Sequence, residues 1–393
     1  MMNLTNDQYV ALYTLRQWYS KYTNQIIEIS GVRGTGVFDL VQDFLLYTNL
    51  DSREIMYLSY NQKQVLELAY MKFHAYHLPN RIYKYTRIVD FDTIPVINTK
   101  SPKMDYVWKK EVRKKIDPVY KLMIVFDSSL LDERTVKDLA SFGIPIILIR
   151  DPMLIPSPNS YTFLRDPNIS LRDVSEKYVK SPLVYFTHKI IQGQRLPYGN
   201  YDNVSIVNRK QMNLYNLKSS DMNLCISPVT RSEINRIYRS SILKQKDIIN
   251  VAGERLIVME DMYRERLINS DESKIRIFFS KGLVGYINRI NKHARGTKYV
   301  PFEFRPEFYH DSFDDIILDR HALNQVEFPV HQYIPDEVCQ MQYAYALTPD
   351  LARLSHWDKM TIVLDEVDLD PELSKMMIYT AMTRCRKKLT IIV

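Results

Sequence analysis

Residues 25–38 read QIIEISGVRGTGVF, an apolar run that leads directly into a glycine-containing turn. The run at 25–30 predicts a short buried strand, and residues 38–47 predict a helix. Gly31 and Gly36 enclose four residues, which is the glycine frame of a phosphate-binding loop. A strand, a loop and a helix in this order predict an α/β unit.

Two positions depart from the pattern of a working phosphate-binding loop. In such a loop, backbone amides surround the phosphates, a Lys contacts the terminal phosphates and a Ser or Thr binds Mg²⁺. Val37 and Phe38 stand at those last two positions and supply neither a charge nor an oxygen ligand. Glycine-rich turns also arise by chance, so the loop alone leaves both interpretations open.

The sequence around the loop alternates between strand-like and helix-like segments. Residues 4–19 have helical spacing, with Thr5 and Gln8 in a capping-box pattern. Further strands are predicted at 54–59, 122–126 and 144–149. This alternation predicts a parallel sheet with covering helices, which is an α/β fold.

Composition gives a broad class. The chain has 393 residues and a net charge of +7, which fits an anionic partner such as nucleic acid and fits an ordinary basic protein almost as well. The three cysteines lie far apart, so we expect reduced thiols, no metal site and a cytoplasmic location. The polar first residues are unlike a signal peptide, and no apolar run could cross a bilayer. We therefore expect no membrane partner.

Segments spread along the chain resemble, in order, the motifs of superfamily 1 DNA helicases of the RecD/Dda-like type. They are LTNDQ at 4–8, the loop at 31–38, LMIVFDSSL at 122–130, RDPMLIPS at 150–157, the stretch 171–199, Thr230-Arg231 with Asn235 and Arg239, the stretch 343–358, and IYTAMTRC at 378–385. The resemblance covers almost the whole chain. It implies two RecA-like P-loop domains with a small β-rich, SH3-like insertion in the second.

The resemblance and the proline clusters together predict the domain boundaries. The predicted first domain is 1–155, with an insertion at about 91–116. The predicted second domain is 156–255 together with 336–393, and the β-rich module is 256–335.

The resemblance also implies a nucleotide site whose chemical residues have changed. Its predicted positions are Gln8, Gly31, Gly34, Thr35, Gly36, Val37, Phe38, Asp127, Ser128, Leu154, Glu176 and Arg384. Ser128 replaces the Glu that activates water, Leu154 replaces the Gln that senses the γ-phosphate, and Glu176 reverses the charge of an arginine finger. The loss of one such arginine lowers the rate by about 10³–10⁵. We therefore expect a helicase-like pseudoenzyme with no ATPase activity and no bound ATP or Mg²⁺.

Two retained residues have simpler explanations. Gln8, which matches the adenine-reading Gln of the family, also completes a helix cap. Arg384, which matches the second arginine finger, precedes a basic run, and such runs are usually solvated. Its retention also fits packing between the two motor domains.

Aromatic and basic residues near the expected groove are candidates for binding nucleic acid. They are Tyr60, Tyr83, Tyr85, Trp108, Lys109, Lys110, Arg113, Arg231 and Trp357. Ordinary packing explains the tyrosines at least as well, and a solvated helix at 108–115 is slightly favoured.

Three functions stay open at this point. The first is a non-catalytic, nucleic-acid-binding accessory factor in replication, recombination or transcription. The second is a protein-interaction scaffold or complex subunit that kept only the fold. The third is an active 5′–3′ DNA helicase with unusual motifs. Motifs changed to this extent also suggest a viral or mobile-element source.

Overall fold

The computed structural model describes residues 4–21, 25–89, 106–156, 160, 166–245, 252–268, 272–290, 298–320, 322–324, 338–353, 355–365 and 368–393. Parts of the predicted insertion at 91–116 and of the predicted module at 256–335 therefore lie outside the described residues. The helices are α1 (Asn6–Lys21), α2 (Val37–Thr48), α3 (Gln62–Tyr70), α4 (Leu78–Ile82), α5 (Glu133–Ala140), α6 (Pro182–Ile191), α7 (Leu214–Lys218), α8 (Pro228–Ile237) and α9 (Pro371–Thr383).

The strands, in chain order, are β1 (Ile26–Gly31), β2 (Ile55–Ser59), β3 (Ala75–His77), β4 (Tyr83–Val89), β5 (Tyr106–Val112), β6 (Leu122–Val125), β7 (Ile146–Arg150), β8 (Ile169–Leu171), β9 (Gly199–Tyr201), β10 (Val204–Val207), β11 (Met222–Cys225), β12 (Arg255–Val258), β13 (Met262–Ile268), β14 (Glu272–Phe279), β15 (Val284–Ile290), β16 (Tyr299–Pro306), β17 (Phe313–Asp319), β18 (Val338–Cys339), β19 (Met341–Tyr343), β20 (Ala346–Leu347), β21 (Trp357–Val363) and β22 (Cys385–Ile392).

The first sheet is parallel and has the strand order β3-β2-β6-β7-β1-β8. Every residue of β2 and β6 is buried, as expected for strands that are covered on both faces. The strands predicted at 25–30, 54–59, 122–126 and 144–149 are all present. β8 pairs with β1 although it lies beyond the predicted boundary at residue 155, so this strand belongs with the first sheet.

The second sheet has the order β20-β11-β21-β22-β10-β9 and is parallel except for β9. Helices α6 and α9 pack against one another beside this sheet. Leu154, which the sequence placed in the first domain, is buried in the core of this second sheet. Two parallel sheets with helices confirm the predicted α/β class.

The third sheet is mostly antiparallel, with the order β18-β17-β16-β15-β12-β19. Its core contains Phe279, Phe302 and Phe304, which are nearly inaccessible to solvent. The described residues of this part of the chain are mainly strands, as a β-rich module requires, whereas the SH3-like insertion stays a prediction. The predicted domain boundaries themselves stay a prediction.

A fourth sheet joins the two insertions, with the order β13-β14-β4-β5. β5 lies in the insertion predicted at 91–116, β4 directly precedes that insertion, and β14 pairs with β4 at Ile275 and Tyr85. The solvated helix favoured for 108–115 is therefore wrong. Residues 106–112 pair along their whole length with β4, and this pairing fixes them as a strand.

Within the described ranges, no helix is both long and apolar enough to cross a bilayer. The same residues hold no group of three or more His, Cys, Asp or Glu side chains placed to bind a metal ion. Cys225, Cys339 and Cys385 are buried, free thiols.

Candidate functional site

The glycine-containing turn connects β1 to α2 in a tight conformation. Gly34 and Gly36 have φ values of 94° and 72°, a region that side chains disfavour. A Cβ at Gly31 would collide with Thr35 and Val37. The amide and hydroxyl of Thr35 both donate to the carbonyl of Val32, at 3.1 and 2.8 Å. The glycines are therefore required by the shape of the loop itself.

Gln8 holds this loop from outside and is almost completely buried. Its Oε1 accepts from the amide of Thr5 at 3.0 Å, which is the predicted cap of α1. Its Nε2 donates to the carbonyl of Thr35 at 2.8 Å. Gln8 thus combines the helix cap with a direct contact to the loop, and its role toward adenine stays a prediction.

Val37 and Phe38 begin α2 without entering a polar site. Val37 packs against the core beneath the helix, and Phe38 is 40% exposed. The Phe38 ring lies 6.2 Å from the rings of both Phe73 and Phe126. Aromatic rings therefore line the entry to α2, where a working loop would place a charge and a hydroxyl.

Asp127 follows β6 and receives a cation from the second half of the chain. It lies in a left-handed conformation, with φ 50°. Its Oδ2 accepts from Nε of Arg353 at 3.0 Å, and Nη2 of Arg353 also donates to Ser129 Oγ at 2.7 Å. Both members of this ion pair are buried. Ser128 is buried beside them, and its hydroxyl makes no hydrogen bond to a described residue.

Arg33 of the loop reaches across to α9. Its Nη1 donates to the carbonyl of Met382 at 3.0 Å, and its Nη2 donates to the carbonyl of Cys385. The Arg33 amide donates to Tyr379 Oη at 2.7 Å, and the Tyr379 hydroxyl donates to Asp151 Oδ2 at 2.6 Å. These bonds join the loop after β1 directly to the last helix.

Arg384, at the end of α9, is buried, whereas Arg386 and Lys387 are exposed. The explanation of Arg384 as part of a solvated basic tail is therefore wrong. Its Nε donates to the carbonyl of Thr380 at 3.2 Å. Burial lowers the pKa of Arg384 to about 10, although the carboxylates of Asp127 and Asp151 act in the opposite direction.

Asp151 completes the cluster on the side of β7. Burial raises the pKa of this carboxyl to about 6, while its hydrogen bonds from Tyr379 and from the amide of Met153 act to lower it. Three arginines and two aspartates thus meet where the two halves of the chain contact one another. We call Arg33, Arg353, Arg384, Asp127 and Asp151 the joint cluster.

The remaining predicted nucleotide-site positions lie at the edge of this cluster. Leu154 packs in the core of the second sheet with Leu183 and Phe186, so its side chain serves packing. Glu176 is exposed at the start of a short 3₁₀ helix. The residue before it, Ser175, donates its amide to the carbonyl of Gly34 at 2.8 Å, so this segment adjoins the loop.

Several residues predicted to contact nucleic acid are buried and packed within the protein. Tyr83 and Tyr85 are buried, and the ammonium of Lys110 lies 3.7 Å from the centroid of the Tyr83 ring. Tyr60 is half-buried, and burial raises the pKa of its hydroxyl. Arg231 is buried, and its Nη2 donates to Oε1 of Gln342 at 2.5 Å.

Only some of the basic residues in and just after β5 are exposed, as a surface that binds nucleic acid would require. Lys109 is exposed and pairs with Glu111 at 2.9 Å, whereas Arg113 is half-buried and donates to the carbonyl of Asn80 at 3.4 Å. The backbone of Trp108 lies in β5, but its side chain lies outside the described residues. The contacts of these residues with nucleic acid stay predictions.

A second polar junction is not evident from the sequence. Lys63 of α3 is completely buried, and its Nζ lies 2.8 Å from Oε2 of Glu307. The same Nζ lies 3.9 Å from the centroid of the Trp357 ring, and Arg255 pairs with the same Glu307. These residues come from the first sheet's helix α3, the antiparallel module and the second sheet. A lysine within an otherwise ordinary helical pattern gives no sign of this burial.

Comparison with known proteins identifies the fold. No protein-family model matches the chain, and no curated protein matches it either. A structure described as "Structural Basis for DNA Unwinding at Forked dsDNA by two coordinating Pif1 helicases" matches with a TM-score of 0.50 and 10% identity, over 100% of this chain and 92% of that chain. A Pif1 helicase from Bacteroides in complex with ADP-AlF3 and ssDNA gives 0.49 and 11%, over 100% and 93%. A Pif1 helicase from Candida albicans gives 0.45 and 11%, over 100% and 94%. The chain therefore has the two-domain, RecA-like fold of Pif1 helicases.

This comparison corrects one prediction. The expectation that the chain is not an enzyme is contradicted, because the matching structures are those of helicases, described in terms of DNA unwinding. The replacements at Val37, Phe38 and Ser128 do not by themselves establish an inactive protein.

Proposed function

We propose that this chain acts on nucleic acid as an ATP-dependent motor with unusual motifs, related in its motif order to the RecD/Dda-like helicases. The observation that supports this most directly is the joint cluster. Arg33, Arg353 and Arg384 come together with Asp127 and Asp151 between the two sheets. A site for a triphosphate needs positive charge from both sides of such a joint.

The cluster also provides a physical link between nucleotide and domain movement. Arg33 is bonded to the carbonyls of Met382 and Cys385, and Arg353 is bonded to Asp127. If a phosphate binds these guanidinium groups, their hydrogen bonds to residues in the other half of the chain must break. Binding would therefore exchange bonds within the protein for bonds to the ligand, which alters the contact between the domains.

Nucleic acid is the proposed substrate because of the fold and the charge. The net charge of +7 favours a polyanion, and a matching structure concerns DNA unwinding at forked dsDNA. The sheet that joins the two insertions provides a surface to which both halves of the chain contribute. Single-stranded DNA is the first substrate to test, because unwinding of a duplex exposes single strands.

Measurement of ATP hydrolysis tests the motor, with and without a single-stranded oligonucleotide. We expect DNA-stimulated hydrolysis that decreases by about 10³ or more in Arg384→Ala, as for the loss of an arginine finger. Lys388→Ala is the control, since this neighbouring basic residue is exposed. If the wild-type chain does not hydrolyse ATP, or if both variants hydrolyse it at equal rates, the proposed motor function is wrong.

A second candidate is a protein-interaction scaffold. Tyr9, Val10 and Tyr13 lie on α1 and are 59%, 67% and 65% exposed, so this helix presents an apolar face to solvent. If the chain neither hydrolyses ATP nor binds nucleic acid, this face is the surface to examine. The test compares the proteins that bind the wild type with those that bind a Tyr9→Ser, Tyr13→Ser variant. If the variant binds the same partners, α1 is not the interaction surface.

A further inference from the structure

A cavity of about 640 Å³ lies where α3, the antiparallel module and the second sheet meet. Its volume is in the range of small-molecule sites in proteins. Trp357 and His356 line one side, and Tyr70, Arg305 and Phe308 line others. None of the members of the joint cluster lines this cavity, although His356 is close enough to Arg384 and Arg33 that, besides burial, their charges lower its pKa.

Trp357 contributes an unused hydrogen-bond donor. The residue is only 6% exposed, yet its Nε1 has no acceptor among the described residues. A buried indole N–H normally finds a partner, because an unpaired donor destabilises the fold. The ammonium of Lys63 lies over the ring and fixes its position. The Nε1 atom itself is closed to solvent, so a ligand in the cavity accepts from it only if the side chains around it shift.

Aromatic rings stand exposed around the cavity. Tyr70, Phe308 and Tyr309 are 68%, 41% and 38% exposed, and the rings of Tyr70 and Phe308 are 6.4 Å apart. Phe308 has φ 62°, which is unfavourable for a bulky side chain. Strained residues of this kind concentrate at ligand-binding positions. Such rings are suited to stacking on a planar base.

Arg305 favours an anionic group on that ligand, although the carboxylates of Asp221 and Asp358 also line the cavity. Arg305 is exposed and has no carboxylate partner among the described residues, whereas Arg255 and Arg386 pair with Glu307 and Glu67. Burial lowers the pKa of His356 well below its usual value. A neutral imidazole offers one donor and one acceptor, which are the groups that the edge of a base requires.

We propose that this cavity binds a nucleotide, with its base against Tyr70 and Phe308, an acceptor at Trp357 Nε1 and its phosphate at Arg305. The nucleotide is a free mononucleotide or one unit of a single strand. The choice of a nucleotide as the ligand rests on the proposed function, whereas the cavity and its lining residues do not depend on it.

Calorimetric titration with AMP and with a ten-nucleotide oligothymidylate tests the site and separates the two sources. Trp357→Phe keeps a ring beneath Lys63 and removes the N–H, and Tyr70→Ala removes a stacking ring. We expect each change, and Arg305→Gln, to weaken binding by about tenfold. The exposed residues Tyr9→Ala and Arg209→Gln serve as controls and should have no effect.

The two titrations have distinct outcomes. If the cavity variants bind AMP more weakly than the wild type does, the ligand is a free nucleotide. If they bind only the oligonucleotide more weakly, the ligand is one unit of a single strand. If all three cavity variants bind both ligands like the wild type, the cavity proposal is wrong, while strong oligonucleotide binding would leave the proposed function intact. Unfolding midpoints of the variants ensure that each compared protein is folded.

Discussion

The guanidinium of Arg353 donates to the carboxylate of Asp127, with 3.0 Å between Nε and Oδ2, and the two residues are 226 positions apart in the chain. Asp127 follows a strand of the first sheet, and Arg353 precedes a strand of the second sheet. This buried pair therefore ties the two halves together at the proposed nucleotide site. It also means that any cation or phosphate bound there must compete with a group of the protein itself.

Arg353→Gln should destabilise the chain by about 3 kcal/mol, because it leaves the carboxylate of Asp127 buried without its cation. Urea unfolding of Arg353→Gln, Asp127→Asn and the double variant measures the coupling. Lys387→Gln is the control, since the pair between Lys387 and Asp358 is exposed and such pairs contribute little. Equal effects of Arg353→Gln and Lys387→Gln would show that the buried pair does not hold the joint.

Lys63→Met should also destabilise the fold, by about 2–4 kcal/mol, since Glu307 loses one of its two cations. Burial lowers the pKa of Lys63 to about 8, so the ammonium is held at neutral pH by Glu307 and by the Trp357 ring. Thermal unfolding compares this variant with Lys218→Met, whose side chain is exposed. An unchanged Lys63→Met would indicate that the junction is not a structural element.

The pKa of Asp151 predicts a particular pH dependence. This pKa is about 6 in the folded chain, against an ordinary value of 3.8 for an aspartate that is exposed to water. The folded state therefore binds this proton more readily than the unfolded state does. The free energy of unfolding should gain about 1–3 kcal/mol from this group as the pH falls from 7 to 4. Urea unfolding at pH 7, 6, 5 and 4 shows this gain as a difference between the wild type and Asp151→Asn. Parallel curves for the two proteins would contradict it.

Val37→Lys should raise the affinity for ATP, by about tenfold or more, because it restores a charge beside the loop amides. Calorimetry with ATP measures the gain, and Val229→Lys is the control, since it adds the same charge at an exposed site on α8. An equal gain in both variants would mean that net charge alone is responsible. No gain in Val37→Lys would mean that the loop does not face the ligand.

The sequence predicts the fold better than it predicts the site, for reasons that particular residues show. The strands at 25–30 and 122–126 are apolar runs beside turns, and local pattern is enough to recognise them. Arg33 and Arg353 were not identified as partners, because their contacts span more than 200 residues and depend on how the two halves meet. The basic run around Lys109 and Lys110 favours a solvated helix, because the local sequence does not show that these residues pair with β4.

Binding of single-stranded DNA tests the central claim most directly. A labelled oligonucleotide is titrated with the full chain at several salt concentrations between about 50 and 300 mM, and the logarithm of the association constant is plotted against that of the salt. We predict a linear decrease with a slope of several units, since each phosphate contact on a single strand contributes about −0.7. The slope should change when ATP is present, because the joint cluster couples the two ligands. No binding at the lowest salt, or an affinity that does not vary with salt, would contradict the account.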